Sequence, residues 1–226
     1  MALAQKGLAN HGSTYFAHNQ TEGRGQRGKT WTTTTGENLI LSVVLQPCKI
    51  KPAESFYLSA AMANACYDFF KKYAGPETSI KWPNDIYWRD RKAGGILIEN
   101  IVRGELLAYS IIGIGMNINQ TRFDESLPNP VSLKQITGNN HNPVQLAKDL
   151  CRFLETQYRK LESDPANIID YYNLNLYKLN KSIKLKKKDL VFETILTAVS
   201  AKGKLITRNV NVQEFDFGEV EWCGEW

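Results

Sequence analysis

The chain has 226 residues, a length for one or two domains and for a core that needs no disulfide or metal to hold it. Its 42% apolar and 23% charged content is ordinary globular usage, which excludes a disordered chain, and no apolar run reaches the ~18 residues of a membrane-spanning helix. The net charge of +5 is local, because Lys178, Lys181, Lys184, Lys186, Lys187 and Lys188 supply more than all of it.

In chain order, 14–18 and 39–45 are β-branched or apolar runs that predict strands, the second buried. From 52 to 73, Phe56, Ala60, Ala63, Tyr67 and Phe70 recur at helical spacing behind a first-turn proline. Residues 79–88 and 94–102 read as strands flanking a hairpin turn at Arg89-Asp90-Arg91, and 106–118 is a further long apolar run. A helix begins at Asn142-Pro143, an N-cap followed by proline, with the stripe Ala147, Leu150, Leu154, Tyr158 and Leu161. A shorter helix covers 165–176. Short strands follow at 183–187, 190–199, 204–208 and 214–222, with a turn at Ala201-Lys202-Gly203. The change of texture places a domain boundary near 178–182, between an α+β part and a small all-β module.

The four cysteines, Cys48, Cys66, Cys151 and Cys223, show no CxxC pairing, so neither a disulfide framework nor a zinc knuckle is expected and a cytoplasmic location is. Three histidines offer no His-rich metal site. The N-terminus lacks the charged start, apolar centre and cleavage site of a secretory signal.

The segment QTEGRGQRGKTW, from Gln20 to Trp31, is the most informative stretch. Gly23, Gly25 and Gly28 formally satisfy GxGxxG, but a dinucleotide site needs that motif to open a helix. Here it runs into four threonines and Gly36, and no acidic residue follows at the ribose-binding distance. What remains is a glycine-rich loop between strands carrying Arg24, Arg27 and Lys29. Backbone N–H groups and guanidinium forks there could hold a phosphate or carboxylate. The bland alternative is a basic surface turn.

A second constellation is KWPNDIYWRDRKAGG, from Lys81 to Gly95. Trp82-Pro83 predicts an extended backbone, since the residue before proline is driven from the helical region. Lys81, Asp85 and Lys92 then lie along a hairpin, with Gly94-Gly95 allowing close approach of a ligand. A surface ion pair is the plain reading; Lys92 meeting an anion with Asp85 orienting it is the functional one. The third piece is Gly113-Ile114-Gly115-Met116-Asn117, an apolar strand whose end places amides at a ligand, or simply a buried strand with a tight turn.

Together these segments resemble the biotin protein ligase family, the biotin–[acetyl-CoA-carboxylase] ligases. The matches are Gln20 with Gly23-Arg24-Gly25-Gln26-Arg27-Gly28, Lys81-Trp82-Pro83-Asn84-Asp85, Lys92-Ala93-Gly94-Gly95-Ile96-Leu97 and Gly113-Ile114-Gly115-Met116-Asn117. The resemblance implies an α+β fold: a mixed sheet with flanking helices like the class II aminoacyl-tRNA synthetase core over 1–180, and a small SH3-like all-β domain over 181–226. It implies a ligase that makes biotinyl-5′-AMP from biotin and ATP with Mg2+, then transfers biotin to a lysine of a biotin carboxyl carrier protein. By that similarity Lys92, Arg24 and Asp85 are the catalytic residues. Gln20, Gly23, Arg24, Gly25, Gln26, Lys92 and Gly95 bind biotin, and Arg24, Arg27, Trp31, Lys92 and Asn117 bind the nucleotide. No metal ligands are assigned. The loop over 23–31 is the candidate cover for the intermediate, anchored by Trp31.

Two departures from the family stand out. Its Ser-Thr-Asn element would fall before Met1, so a truncated start and weakened biotin affinity are expected. Gln26 replaces an arginine of many relatives, which predicts leakier retention of the adenylate. Nothing precedes the catalytic motifs, so sequence-specific DNA binding is not expected; no membrane association is either, and a homodimer is left open. The lysine run reads as a solvated face or a contact for an acidic carrier protein. The rival readings are a lipoate ligase or octanoyltransferase of the same fold, and a non-catalytic phosphate- or RNA-binding module.

Overall fold

The computed structural model describes residues 6–47 and 49–223. Six strands form the first sheet: β1 (Thr14–Phe16), β2 (Leu39–Leu45), β3 (Thr78–Lys81), β4 (Asp85–Trp88), β5 (Arg91–Arg103) and β6 (Leu106–Met116), in the order β1-β2-β6-β5-β4-β3. Behind it lie α1 (Ser55–Ala74), the short α2 (Leu133–Thr137), α3 (Pro143–Ser163) and α4 (Pro165–Leu174). The second sheet holds β7 (Ser182–Lys187), β8 (Leu190–Val199), β9 (Leu205–Arg208), β10 (Val212–Phe215) and β11 (Glu221–Cys223), ordered β10-β9-β8-β7-β11. The expected α+β class holds. All named strand pairings are antiparallel, and parallel contact occurs as the bridges Ile80–Leu176 and Lys92–Pro130.

Alternation along the strands decides which face each residue takes. Leu39, Leu41, Val43, Ile86, Ile96, Ile112, Ile114 and Met116 turn back and are buried. They pack with α1, whose Leu58, Met62, Cys66, Phe69 and Phe70 are also buried. This helix is apolar around most of its circumference because the sheet covers one side and α3 and α4 the other. Asn142 caps α3 as expected, its Oδ1 accepting from the N–H groups of Val144 and Gln145 at 3.0 and 3.2 Å. The core continues without interruption into Ile183, Leu185, Leu196, Val199 and Leu205 of the second sheet.

Two strand expectations are corrected. The run 79–88 is two strands, because Trp82–Asn84 form a turn between them, with Trp82–Pro83 cis. Neighbouring elements hold that turn: Ile96 N–H donates to the Asn84 carbonyl at 3.0 Å, and the Tyr172 hydroxyl to the Pro83 carbonyl at 3.0 Å. The run 214–222 is likewise divided into β10 and β11 by a turn in which Glu219 N–H donates to the Asp216 carbonyl at 3.0 Å. On β7 the lysines alternate with buried Ile183 and Leu185, and Lys184 and Lys187 sit 3.7 and 2.5 Å from Glu193 and Glu219. That part of the lysine run is a solvated, paired face. Cys66, Cys151 and Cys223 are free thiols, and Cys48 lies outside the described residues.

Candidate active site

The site is built by one extra residue. In the β4–β5 ladder Asp85 opposes Gly95 and Ile86 opposes Gly94, but Tyr87 opposes Lys92, so Ala93 is bulged out of register. A regular ladder would turn Lys92 toward the helices. The bulge instead turns it to the front, onto the face of Asp85 and Tyr87. Lys81, cross-strand from Asp85, shares that face. The Lys92 Nζ donates to Asp85 Oδ2 at 2.8 Å, with the two side chains 30% and 24% exposed, within reach of a ligand yet partly desolvated.

The backbone around Lys92 is pinned on both sides. Its N–H donates to the Asn129 carbonyl at 3.0 Å and its carbonyl accepts from Val131 N–H at 2.9 Å. Buried Asn117 adds Nδ2 bonds to the carbonyls of Val131 at 3.2 Å and Lys92 at 3.4 Å. The amide expected at the nucleotide therefore braces the strand bearing Lys92.

Beside this pair the front face carries almost no side chains. Gly95 opposes Gly115, and Gly113 opposes Leu97. The missing Cβ atoms leave a trough, and Trp31 lies across it: a Cβ on Gly115 would come within 2.5 Å of Trp31 Cε2. The Trp31 ring centroid is 5.8 Å from Lys92 Nζ, and its Nε1 is buried without a hydrogen-bond partner. An apolar floor, a ring, an unsatisfied N–H donor and a cation at one end suit a ligand with an apolar body and a carboxylate.

The glycine loop is a bonded hairpin and opens no helix, as its sequence predicts. Gly25 N–H donates to the Lys29 carbonyl at 2.7 Å and Trp31 N–H to the Gly23 carbonyl at 2.9 Å, around a single turn at Gln26–Gly28. Gly23 must be glycine, since a Cβ there would lie 2.0 Å from the Trp31 carbonyl oxygen and 3.0 Å from Gln20 Oε1. Exposed Gln20 thus stands at the same corner as Trp31. Arg24 reaches Glu99, two residues beyond Leu97 on the same strand face, in two contacts of 3.2 Å. Arg27 turns the other way, its Cζ 3.1 Å from where a Gly218 Cβ would be. Lys92, Asp85, Gly95, Trp31, Gly23 and Gln20 are therefore gathered at one place, while the arginines are held at its margins.

Sequence reasoning gave no role to Glu99, to the 129–131 strap or to the rings around Lys81. The period-two row Gly95, Leu97, Glu99 carried the signal for the first. Among the described residues no cluster of three or more His, Cys, Asp or Glu could hold a metal ion, and no helix is long and apolar enough to cross a membrane.

Comparison with known proteins places this architecture. The biotin protein ligase of Aquifex aeolicus, solved with biotin and ATP, superposes with a TM-score of 0.81 over 95% of this chain and 90% of that one, at 22% identity. The Leishmania major enzyme, solved with biotinyl-5-AMP, gives 0.64 over 95% and 93%, at 23% identity. The fold is that of a biotin protein ligase. Residues 4–117 match the model of the biotin/lipoate A/B protein ligase family, and the chain belongs to that family. The bifunctional ligase/repressor BirA of Escherichia coli K12 is 32% identical over 90% of this chain and 64% of its own length. The biotin–[acetyl-CoA-carboxylase] ligase of Mycobacterium tuberculosis is 30% identical over 77% and 61%. The chain thus spans less than two thirds of these curated relatives.

Proposed function

We propose that the chain is a biotin protein ligase that condenses biotin with ATP to biotinyl-5′-AMP and then transfers biotin to a lysine of a carboxyl carrier protein. The observation that carries this is the Lys92–Asp85 pair at the end of a glycine-floored trough crossed by Trp31. The names of the relatives support the substrate class.

In the first step a biotin carboxylate oxygen attacks the α-phosphorus of ATP, and pyrophosphate leaves. Two anions must meet, so a fixed cation aimed between them lowers the barrier. Lys92 supplies it and Asp85 holds its ammonium in place. Magnesium carried in with ATP would neutralise charge on the polyphosphate while keeping most of its waters; among the described residues no group of three or more His, Cys, Asp or Glu could hold a metal ion. In the second step a neutral lysine amine attacks the acyl carbon and AMP leaves, the amine's second proton passing to a carboxylate or the phosphate. Water must be kept out meanwhile, and the 23–31 hairpin seated on Gly115 is the cover. We further assign residues 1–180 to a catalytic unit and 181–226 to a β unit whose Gly218 turn buttresses that hairpin through Arg27.

The test is ATP–pyrophosphate exchange with biotin, lipoate and octanoate offered separately. Exchange with biotin alone is expected. Exchange driven by lipoate or octanoate instead would reassign the acid, and silence with all three would overturn the adenylation reading.

A further inference from the structure

Lys81 is 8% exposed, a depth at which lysine is seldom found unless it is paired. Its Nζ lies 4.7 Å from the ring centroid of Tyr87, 5.8 Å from Tyr177 and 5.0 Å from Trp222, and it donates to the Tyr87 hydroxyl at 3.2 Å. Among the described residues, three π-faces stand around this ammonium and form a cation box. Its walls come from separate parts of the chain. Tyr87 is on β4. Tyr177 is held along β3 by a backbone bond from its N–H to the Ile80 carbonyl at 2.8 Å. Trp222 is on β11 of the second sheet, paired with Leu185. The Tyr177 ring touches both others, at 5.1 and 5.9 Å between centroids.

The box stands beside the proposed centre. Lys81 is the cross-strand partner of Asp85, whose carboxylate accepts from Lys92. Among the described residues, the charged groups facing the ammonium are Asp85 from β4, Lys92 from β5, Lys178 beside Tyr177, and Lys29 from the glycine hairpin, while β11 presents the Trp222 ring. Burial pulls its pKa down to about 8; Asp85 opposes that shift and the three lysines reinforce it. Electrostatic coupling is reciprocal, so the charge on Lys81 acts equally on Asp85 and Lys92.

We propose that Lys81 is a positioning residue of the Asp85–Lys92 centre, its ammonium fixed by Tyr87, Tyr177 and Trp222 so that the second sheet governs the charge beside that pair. This rests on the ligase reading for its catalytic consequence alone. No covalent chemistry is assigned to Lys81.

The experiment has two arms on the full chain. In the first, pH-dependent labelling of Lys81 by acetic anhydride is followed by peptide mass spectrometry without any substrate. Lys81 titrates near pH 8 in the unsubstituted protein, lower in Asp85→Asn, and higher in Trp222→Leu, where water re-enters the box. In the second arm, biotin-dependent exchange is followed against pH. Lys81→Met lowers kcat by about tenfold with KM for biotin and ATP nearly unchanged, the scale typical of a supporting rather than a contacting residue. Lys81→Arg restores part of it and moves the alkaline limb to higher pH. An unaltered pH profile in Lys81→Met, or Lys81 titration indifferent to Asp85→Asn, overturns the proposal. If the unsubstituted protein shows no exchange, the ligase reading fails by itself, and the labelling arm still decides whether Lys81 and Asp85 are coupled.

Discussion

Both terminal nitrogens of Arg24 meet the two carboxylate oxygens of Glu99, each at 3.2 Å, across a gap of 75 residues in the chain. The pair draws the glycine hairpin toward β5 while leaving the Arg24 side chain 68% exposed. For Arg24 to reach an adenylate it must leave Glu99, so the carboxylate competes with the ligand. An ion pair this exposed is worth little, on the order of 0.2–1 kcal/mol. Glu99→Gln should therefore tighten binding of a non-hydrolysable adenylate analogue by less than about fivefold. Calorimetry of the variant checks this, and weaker binding would mean that Glu99 assists the ligand instead.

Gly115→Ala tests the seat of Trp31. The added Cβ would lie 2.5–2.8 Å from three atoms of the indole, so the ring must move off the trough. The KM for biotin should rise by about tenfold or more as the apolar wall is displaced. The melting temperature should move little, because Trp31 is only half-buried. Steady-state kinetics beside a thermal melt separate the two, and an unchanged KM would remove Trp31 from the proposed biotin trough.

Lys92→Ala removes the cation proposed to stand at the junction of the two anions. Loss of one such group costs about 2.7–4 kcal/mol of barrier, so exchange should fall by ~100-fold or more. Asp85→Asn leaves the lysine in place but unanchored, and its rate should fall between the two. Rates of both variants within twofold of the unsubstituted protein would assign the chemistry elsewhere.

The buried ammonium of Lys81 also leaves a trace in stability. Its folded pKa of about 8 lies below the ordinary 10.5. Between these values the unfolded chain binds more protons than the folded one, so this group's contribution to stability rises with pH through that window. Below it, holding a buried charge costs the fold. Lys81→Met removes the cost and the slope together. Urea midpoints should place the variant at or above the unsubstituted protein at pH 7, with the advantage shrinking toward pH 10. A constant difference across that range would contradict the shifted titration.

Much of this was legible in the sequence wherever the signal was local. The strand at 39–45 and the Asn142 cap needed only periodicity and one capping residue. That the glycine segment opens no helix followed from the poor helix formers after it, though its hairpin pairing did not. Failures came where distant contacts decide. The turn at Trp82–Asn84 is held by bonds from Tyr172 to Pro83 and from Ile96 to Asn84, which no rule about a residue before proline contains. The partner of Arg24 and two of the walls around Lys81, Tyr177 and Trp222, belong to segments far along the chain. Composition makes Lys81 look like an ordinary exposed lysine, and only the fold brings Trp222 over it.

The bulge at Ala93 gives β5 a property that substitution cannot imitate. Facing in a strand is a matter of parity, so pairing Ala93 with Tyr87 in a regular ladder would send Lys92 into the layer occupied by α1 and bring buried Ala93 to the front. The placement of Lys92 is thus a property of register as much as of residue type. Insertions and deletions in this stretch act on the register, whereas replacements act on the side chain alone.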